Sequence, residues 1–226
     1  MAKVAGEKLL SEALQERRAT PSFEQVPIHS TDLKKIIQAG LAAPSAYNLQ
    51  PWRFVIVRER EHKKRLRAAS FNQAKLEEAS AVIVACGDPL GWTEGDLEEV
   101  FRIGRQHGFD NEQKIQKTRA EVASLLGGTS GTTAGIKPSV AVWINRHVMI
   151  AFTTMMWTAE TLGYDTAPME GFEEDKVKAA LNIPEHVRVV ALLAIGRRKG
   201  PDKPFAGRFD PSRTVFADEW GLGIEL

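Results

Sequence analysis

The stretch Ala43-Pro44-Ser45-Ala46-Tyr47-Asn48-Leu49-Gln50-Pro51-Trp52 joins a helical pattern to a strand pattern. Proline pushes the residue before it away from helical dihedrals, so a segment held between Pro44 and Pro51 is expected to be extended and stiff. In an extended chain residues i and i+2 lie on one side. Asn48 and Gln50 would then aim two amides the same way, each with two donors and an acceptor. Such a pair suits a flat heterocycle with alternating donor and acceptor edges, and a flavin's pyrimidine ring is one candidate. A capped turn accounts for the same residues, because Asn and Ser readily bond local backbone.

Upstream, Leu9, Leu10, Ala13 and Leu14 recur at helical spacing and predict a first helix ending at Arg17 or Arg18. Ser30 or Thr31 is expected to cap a second helix through Leu33, Ile36, Ile37 and Leu41. Downstream, Trp52–Val57 reads as a strand, rich in aromatic and β-branched residues. Residues 59–69 read as a charged helix and 81–86 as a strand buried on both faces. Residues 95–126 are mostly helical and polar, and a Gly- and Thr-rich loop follows over 127–135. Pro138 then opens a long apolar segment to Leu162, with Gly163 placed to end a helix. It is apolar nearly all round, as in a helix buried on several sides, though 140–142 could instead form a short strand. A short helix over 173–181 and a buried strand over 187–195 follow. Everything after Gly196 reads as a tail whose Phe205, Phe209, Val215, Phe216 and Trp220 need apolar cover.

The 226 residues suffice for one domain with a large core. Lys+Arg 30 against Asp+Glu 29 leaves no basic excess, which argues against a nucleic-acid footprint, since phosphate binding needs clustered positive charge. The one cysteine, Cys86, allows no internal disulfide and fits a reducing compartment. No apolar run reaches the roughly 20 residues that span a bilayer, and residues 1–10 lack the apolar stretch of a leader. A cytoplasmic protein without membrane or nucleic-acid partners is expected.

Two further segments carry chemistry. Arg17-Arg18, followed by Ala19-Thr20-Pro21, could hold a phosphate through forked, charge-assisted hydrogen bonds; a helix C-terminus stabilised by cations is the alternative. In Pro168-Met169-Glu170-Gly171-Phe172, the glycine lets backbone approach a ligand closely. The three segments, in this order and spacing, resemble the FMN-dependent nitroreductase family, and the resemblance runs from about residue 17 to 208.

That resemblance implies an α+β fold with a central, mainly antiparallel sheet flanked by helices. It implies one domain over 1–226 and interlocked homodimers with FMN at the subunit interface. Residues 197–226 would form a C-terminal extension packing on the partner subunit. NADH or NADPH would serve as a transient electron donor, and a nitroaromatic or quinone-type small molecule as acceptor. By the same resemblance Arg17, Arg18 and the backbone of Ala19 hold the phosphate and polar edges of FMN. Pro44, Ser45 and Ala46 line its ring beside Asn48 and Gln50, and Gln73 offers an amide. Met169, Glu170 and Gly171 sit at the ring, where a backbone N–H points at flavin N5, the atom that receives hydride. A donor there stabilises charge that develops on reduction. Glu170 could instead simply neighbour the N-cap of the next helix. Arg208 falls where relatives place a basic residue on the phosphate, with Arg197, Arg198 and Lys203 as rivals. This chain departs from the pattern at Ala19, where a serine is usual, and at Pro21, where a basic residue often stands near flavin N1 and O2.

Other signals are weaker. The 127–135 loop lacks the Gly-Lys-Ser/Thr ending of a P-loop and misses Gly-x-Ser-x-Gly. His29, His62, His107, His147 and His186 are dispersed without metal-ligand spacing, so no metal is expected. No Gly-x-Gly-x-x-Gly follows a strand, which argues against a Rossmann dinucleotide site.

Overall fold

The computed structural model describes residues 7–126 and 140–224. In chain order it runs α1 (Leu10–Glu16), β1 (Phe23–Glu24), α2 (Ser30–Leu41), β2 (Trp52–Val57), α3 (Arg60–Ala69), α4 (Lys75–Glu78), β3 (Ala81–Gly87), α5 (Asp96–Gln106), α6 (Glu112–Leu126), α7 (Val140–Thr161), β4 (Asp165–Met169), α8 (Glu174–Leu181) and β5 (Arg188–Arg198). The expected loop over 127–135 and Pro138 lie outside the described residues.

Every strand pair is antiparallel. β5 is the hub: Leu192 pairs with Val84 of β3 on one side and with Met169 of β4 on the other, while its end pairs with β1. The main sheet is therefore ordered β2-β3-β5-β4, with β2 and β4 at its edges. β3 is buried along its whole length because both of its faces are covered. Ala81, Ile83 and Ala85 face a core built with α2, α5, α6 and α7. Val82, Val84 and Cys86 face a second core with α3, α4 and α8. The alternation is the period of two that a strand imposes. A bulge interrupts it in β5, where Ala85 pairs with Ala191 but Cys86 with Val189, leaving Val190 as the extra residue. The slip puts Val189 on the face of Cys86.

α7 is the long buried helix that the sequence predicts. Gly163, at φ +82, ends it, and Tyr164 N–H bonds Ala159 O five residues back, the Schellman closure. Residues 140–142 belong to this helix and not to a strand. α2 starts one residue earlier than the sequence suggests: His29 is the cap position, so Ser30 and Thr31 lie inside the first turn. Tyr164 accounts for this, because its hydroxyl bonds both the His29 N–H and Asp32. β5 runs on to Arg198, so Arg197 and Arg198 belong to the strand and the tail begins after them. Residues 199–224 carry one 3-10 turn (Pro211–Arg213) and a bridge between Phe216 and Gly223. Phe205, Phe209 and Trp220 are exposed on this chain.

A methyl at Gly87 would overlap Ile144 Cγ2 of α7, so Gly87→Ala is expected to cost about 1–3 kcal/mol by overpacking, measured as a lower urea midpoint at unchanged slope. Burial, with the Glu174 charge adding, pushes the Cys86 thiol up to about 12, so thiolate is scarce at pH 8. A thiol reagent at that pH should leave the folded protein unlabelled and label it stoichiometrically in denaturant. Fast labelling of the folded protein would contradict this.

Candidate functional site

The 44–51 segment is not extended. Ala46–Asn48 forms a 3-10 turn, and Tyr47, Asn48 and Gln50 have positive φ of 55, 55 and 45. The reason is burial. Leu49 is 2% and Trp52 4% exposed, and residues three apart face opposite sides of an extended chain, so the chain must coil to bury both. Ser45 Oγ accepts the Gln50 N–H at 3.0 Å, the local-backbone role open to it in a capped turn. Gln50 Nε2 turns back on Asn48, to its carbonyl at 3.2 Å and its Oδ1 at 3.3 Å. Asn48 and Gln50 therefore meet, but as donor and acceptor to one another, not as two amides aimed in parallel. Arg53 fixes the base of the turn: its Nη1 bonds Gln50 O at 3.4 Å, while its Nη2 reaches Asp96 of α5 at 2.5 Å. Pro44 and Asn48 are exposed, and Ala46 is half-buried. A cavity of about 510 Å³ opens beside Ser45, Tyr47 and Asn48, walled by Phe101 of α5 and by Phe109 and Lys114. Lys114 is neutralised by Asp110 at 3.2 Å, and its Nζ lies 3.0 Å from the Phe109 ring centroid.

A second group of residues gathers at the opposite edge of the sheet. α1 stops at Glu16, and Arg17 turns out of it at ψ 128. Thr20, 1% exposed, donates its N–H to Thr166 O of β4 at 3.0 Å, which pins the 17–20 segment to that strand. The two arginines then divide the two readings between them. Arg18 Nη1 bonds the carbonyls of Gln15 and Arg17 at 2.8 and 2.9 Å, the helix-end role. Arg17 Nε and Nη1 are buried with no hydrogen-bond partner, its guanidinium 5.8 Å from the Trp157 ring centroid. Buried donors are costly to leave unpaired, and guanidinium suits a phosphate or carboxylate. Ala19 lies exposed between them.

Met169, buried, ends β4, and Glu170 and Gly171 emerge from it exposed. Gln73 Nε2 donates to Gly171 O at 2.9 Å. A Cβ at Gly171 would lie 3.3 Å from that nitrogen, so glycine leaves the amide room. Glu173 occupies the cap position of α8, three residues beyond Glu170. The approach to Gln73 is strained: Phe71 and Asn72 have φ of 50 and 57, and Phe71 is 67% exposed. Backbone strain of this kind concentrates at ligand sites. Here five of the seven positive-φ non-glycine residues described fall in 47–50 and 71–72.

The tail reaches this second group. Phe205 lies under two guanidinium groups, Arg18 at 4.5 Å and Arg208 at 5.2 Å. Lys75, which sequence reasoning missed, has its pKa lowered by burial and by the charge of Lys203. Arg17, Arg18, Lys75, Lys203 and Arg208 form no ion pair among the described residues. Of the rivals to Arg208, Lys203 joins this group, Arg198 is paired with Asp202 at 2.6 Å, and Arg197 lies over Tyr164. Position alone could have flagged Lys75, two residues past Gln73 and opening α4.

The two groups do not meet within one chain. Trp52 shares a row with Gly87 and Arg188, and Met169 pairs with Leu192. Three strand spacings across and four residues along separate Trp52 from Met169 by roughly 20 Å. No hydrogen bond or ion pair among the described residues links 44–50 with 17–19, 73, 169–171 or 208. Among those residues there is also no cluster of side chains suited to a metal ion, and no helix is long and apolar enough to cross a membrane.

A profile of the Nitroreductase family matches residues 14–197. A Thermus thermophilus protein named NADH dehydrogenase is 34% identical over 184 residues, covering 81% of this chain and 84% of its own length. A Bacillus subtilis structure provisionally described as the nitroreductase YdfN superposes with a TM-score of 0.82 at 26% identity, over 92% of this chain and 97% of that one. A provisionally described nitroreductase from Exiguobacterium sibiricum, solved in complex with FMN, superposes with a TM-score of 0.77 at 24% identity, over 93% and 98%. The antiparallel sheet with its flanking helices is thus a nitroreductase-like fold, and the chain belongs to the nitroreductase family.

Proposed function

We propose that this chain is an FMN-dependent oxidoreductase that takes two electrons from NADH or NADPH and passes them to an electron-poor small molecule of nitroaromatic or quinone type. The observation that carries the reading is Arg17, whose buried Nε and Nη1 lack partners in a group of unpaired cations. The residues fit the cofactor. A phosphate would satisfy the Arg17 donors, with Arg18, Lys203 and Arg208 adding charge around it. Gly171, with no side chain of its own, and the Gln73 amide that bonds its carbonyl would lie against the ring. FMN, when bound, supplies the two-electron relay between nicotinamide and acceptor; the protein supplies binding, orientation and electrostatics.

Two copies of the chain complete the site in this reading. The Tyr47–Gln50 turn of one copy is set against the Arg17–Gly171 edge of the other, because roughly 20 Å of sheet keeps the two apart within a single chain. The exposed Phe205, Phe209 and Trp220 of the tail would find cover on the partner. Donor and acceptor use the same open face in turn, which gives ping-pong kinetics. The apolar walls and neutralised Lys114 of the cavity beside Tyr47 favour uncharged, flat acceptors.

A flavin-binding or partner-binding protein of this fold without turnover is the competing reading, and Ala19 and Pro21 are the residues that favour it. Lys75, two residues past Gln73 and partly desolvated, weighs against it as a candidate for the missing cation. Anaerobic mixing with NADH or NADPH decides: loss of the yellow absorbance supports the oxidoreductase, and a bound flavin that never bleaches supports the binding protein. Arg17→Ala is expected to weaken FMN binding about 10- to 100-fold, the equivalent of charged hydrogen bonds worth about 1.5–3 kcal/mol. Asn48→Ala should also purify with less FMN. Full FMN occupancy in both variants would contradict the site.

A further inference from the structure

Glu160 is a buried carboxyl with no part in the account so far. It lies on α7, one turn beyond Trp157, and is 3% exposed. Its Oε1 accepts the Thr166 hydroxyl at 2.6 Å. The Thr166 carbonyl accepts the Thr20 N–H, so the carboxyl stands behind the backbone that carries Arg17. Arg17 faces the same helix surface, over the Trp157 ring.

The charges acting on this carboxyl come from the flanks of α1 and from β4. From either end of α1 come Lys8, itself paired with Glu16 at 2.8 Å, and Arg17. From β4 comes Asp165, whose Oδ2 accepts the Arg198 N–H at 2.8 Å. Burial raises the Glu160 pKa to about 7, with Asp165 adding, while the Thr166 bond and the Arg17 and Lys8 charges oppose the rise.

We propose that Glu160 is a positioning residue that balances the Arg17 charge in the free protein and takes up a proton when an anion joins Arg17. This rests on the reading that the anion is the phosphate of FMN. A cation beside a carboxyl favours its ionised form. An arriving phosphate dianion cancels the Arg17 field at Glu160, so the buried carboxylate loses a stabilising charge and its pKa rises. Binding coupled to proton uptake is favoured at low pH. FMN affinity therefore stays high below the free-state pKa of Glu160 and falls as pH rises through it, levelling off above the bound-state pKa.

The test is calorimetric titration of FMN into the apo-protein at pH 8, in two buffers of different ionisation enthalpy. The FMN phosphate, with a second pKa near 6, is already a dianion there and takes up no proton itself. Uptake of up to about one proton per FMN is expected in the wild type, with none in Glu160→Gln and none for riboflavin, which lacks the phosphate. Thr166→Val keeps the carboxyl but removes a bond that lowers its pKa, so the fall in affinity should move to higher pH. That variant and the wild-type proton count carry the test if Glu160→Gln does not fold. FMN binding without proton uptake, or an unshifted profile in Thr166→Val, would overturn the role of Glu160 and leave the FMN site standing. A wild type that takes up no FMN would overturn the FMN reading itself.

Discussion

The pairing of β5 with three other strands is the constraint on which the rest depends. Its first residues hold the end of β3, its middle carries β3 and β4 on opposite sides, and its last two residues hold β1. The β4 register places Met169, and hence Glu170 and Gly171. It also places Thr166, which pins Thr20 and so the Arg17-Arg18 segment. The β3 register fixes β2 and, through Trp52, the strained turn at Tyr47–Gln50. One strand thus distributes the functional residues to two edges of one sheet.

The separation has an electrostatic side. At the β4 edge Arg17, Arg18, Lys75, Lys203 and Arg208 form no ion pair among the described residues, and the Arg17 Nε and Nη1 donors are buried without hydrogen-bond partners, an arrangement that costs stability. At the β2 edge the charges are neutralised in place: Arg53 by Asp88 and Asp96, and Lys114 by Asp110. Under the proposed function one edge would take a phosphate and the other uncharged rings. A second copy that brings the edges together joins two halves of complementary character.

Much of this was legible in the sequence. Strand β2 and the buried β3 declare themselves by composition, and Gly163 marks the end of α7 by its dihedral demand. The Pro44–Pro51 segment is recognisable as a motif, but its prolines suggest an extended shape where the chain coils. Proline restricts only the residue before it, and the coil is imposed by the need to bury Leu49 and Trp52 together. The extent of β5 was hidden because Arg197 and Arg198 pair with a two-residue strand that has no pattern of its own. Lys75 resembles any lysine of a polar helix until the fold partly buries it within reach of the Lys203 charge. Nothing in the tail distinguishes Arg208 from Lys203, and the structure brings both to the same group.

The central claim is that one FMN site is built from the Arg17 edge of one chain and the Asn48 turn of another. It is tested most directly by a mixed dimer. Arg17→Ala and Asn48→Ala chains, each differently tagged, are co-expressed and the heterodimer is purified through both tags. One of its two sites then carries both defects and the other carries none. The account predicts that the heterodimer regains FMN at one site per dimer although each parent homodimer is flavin-poor. A heterodimer as flavin-poor as its parents would place both residues in the same chain's site and contradict the account.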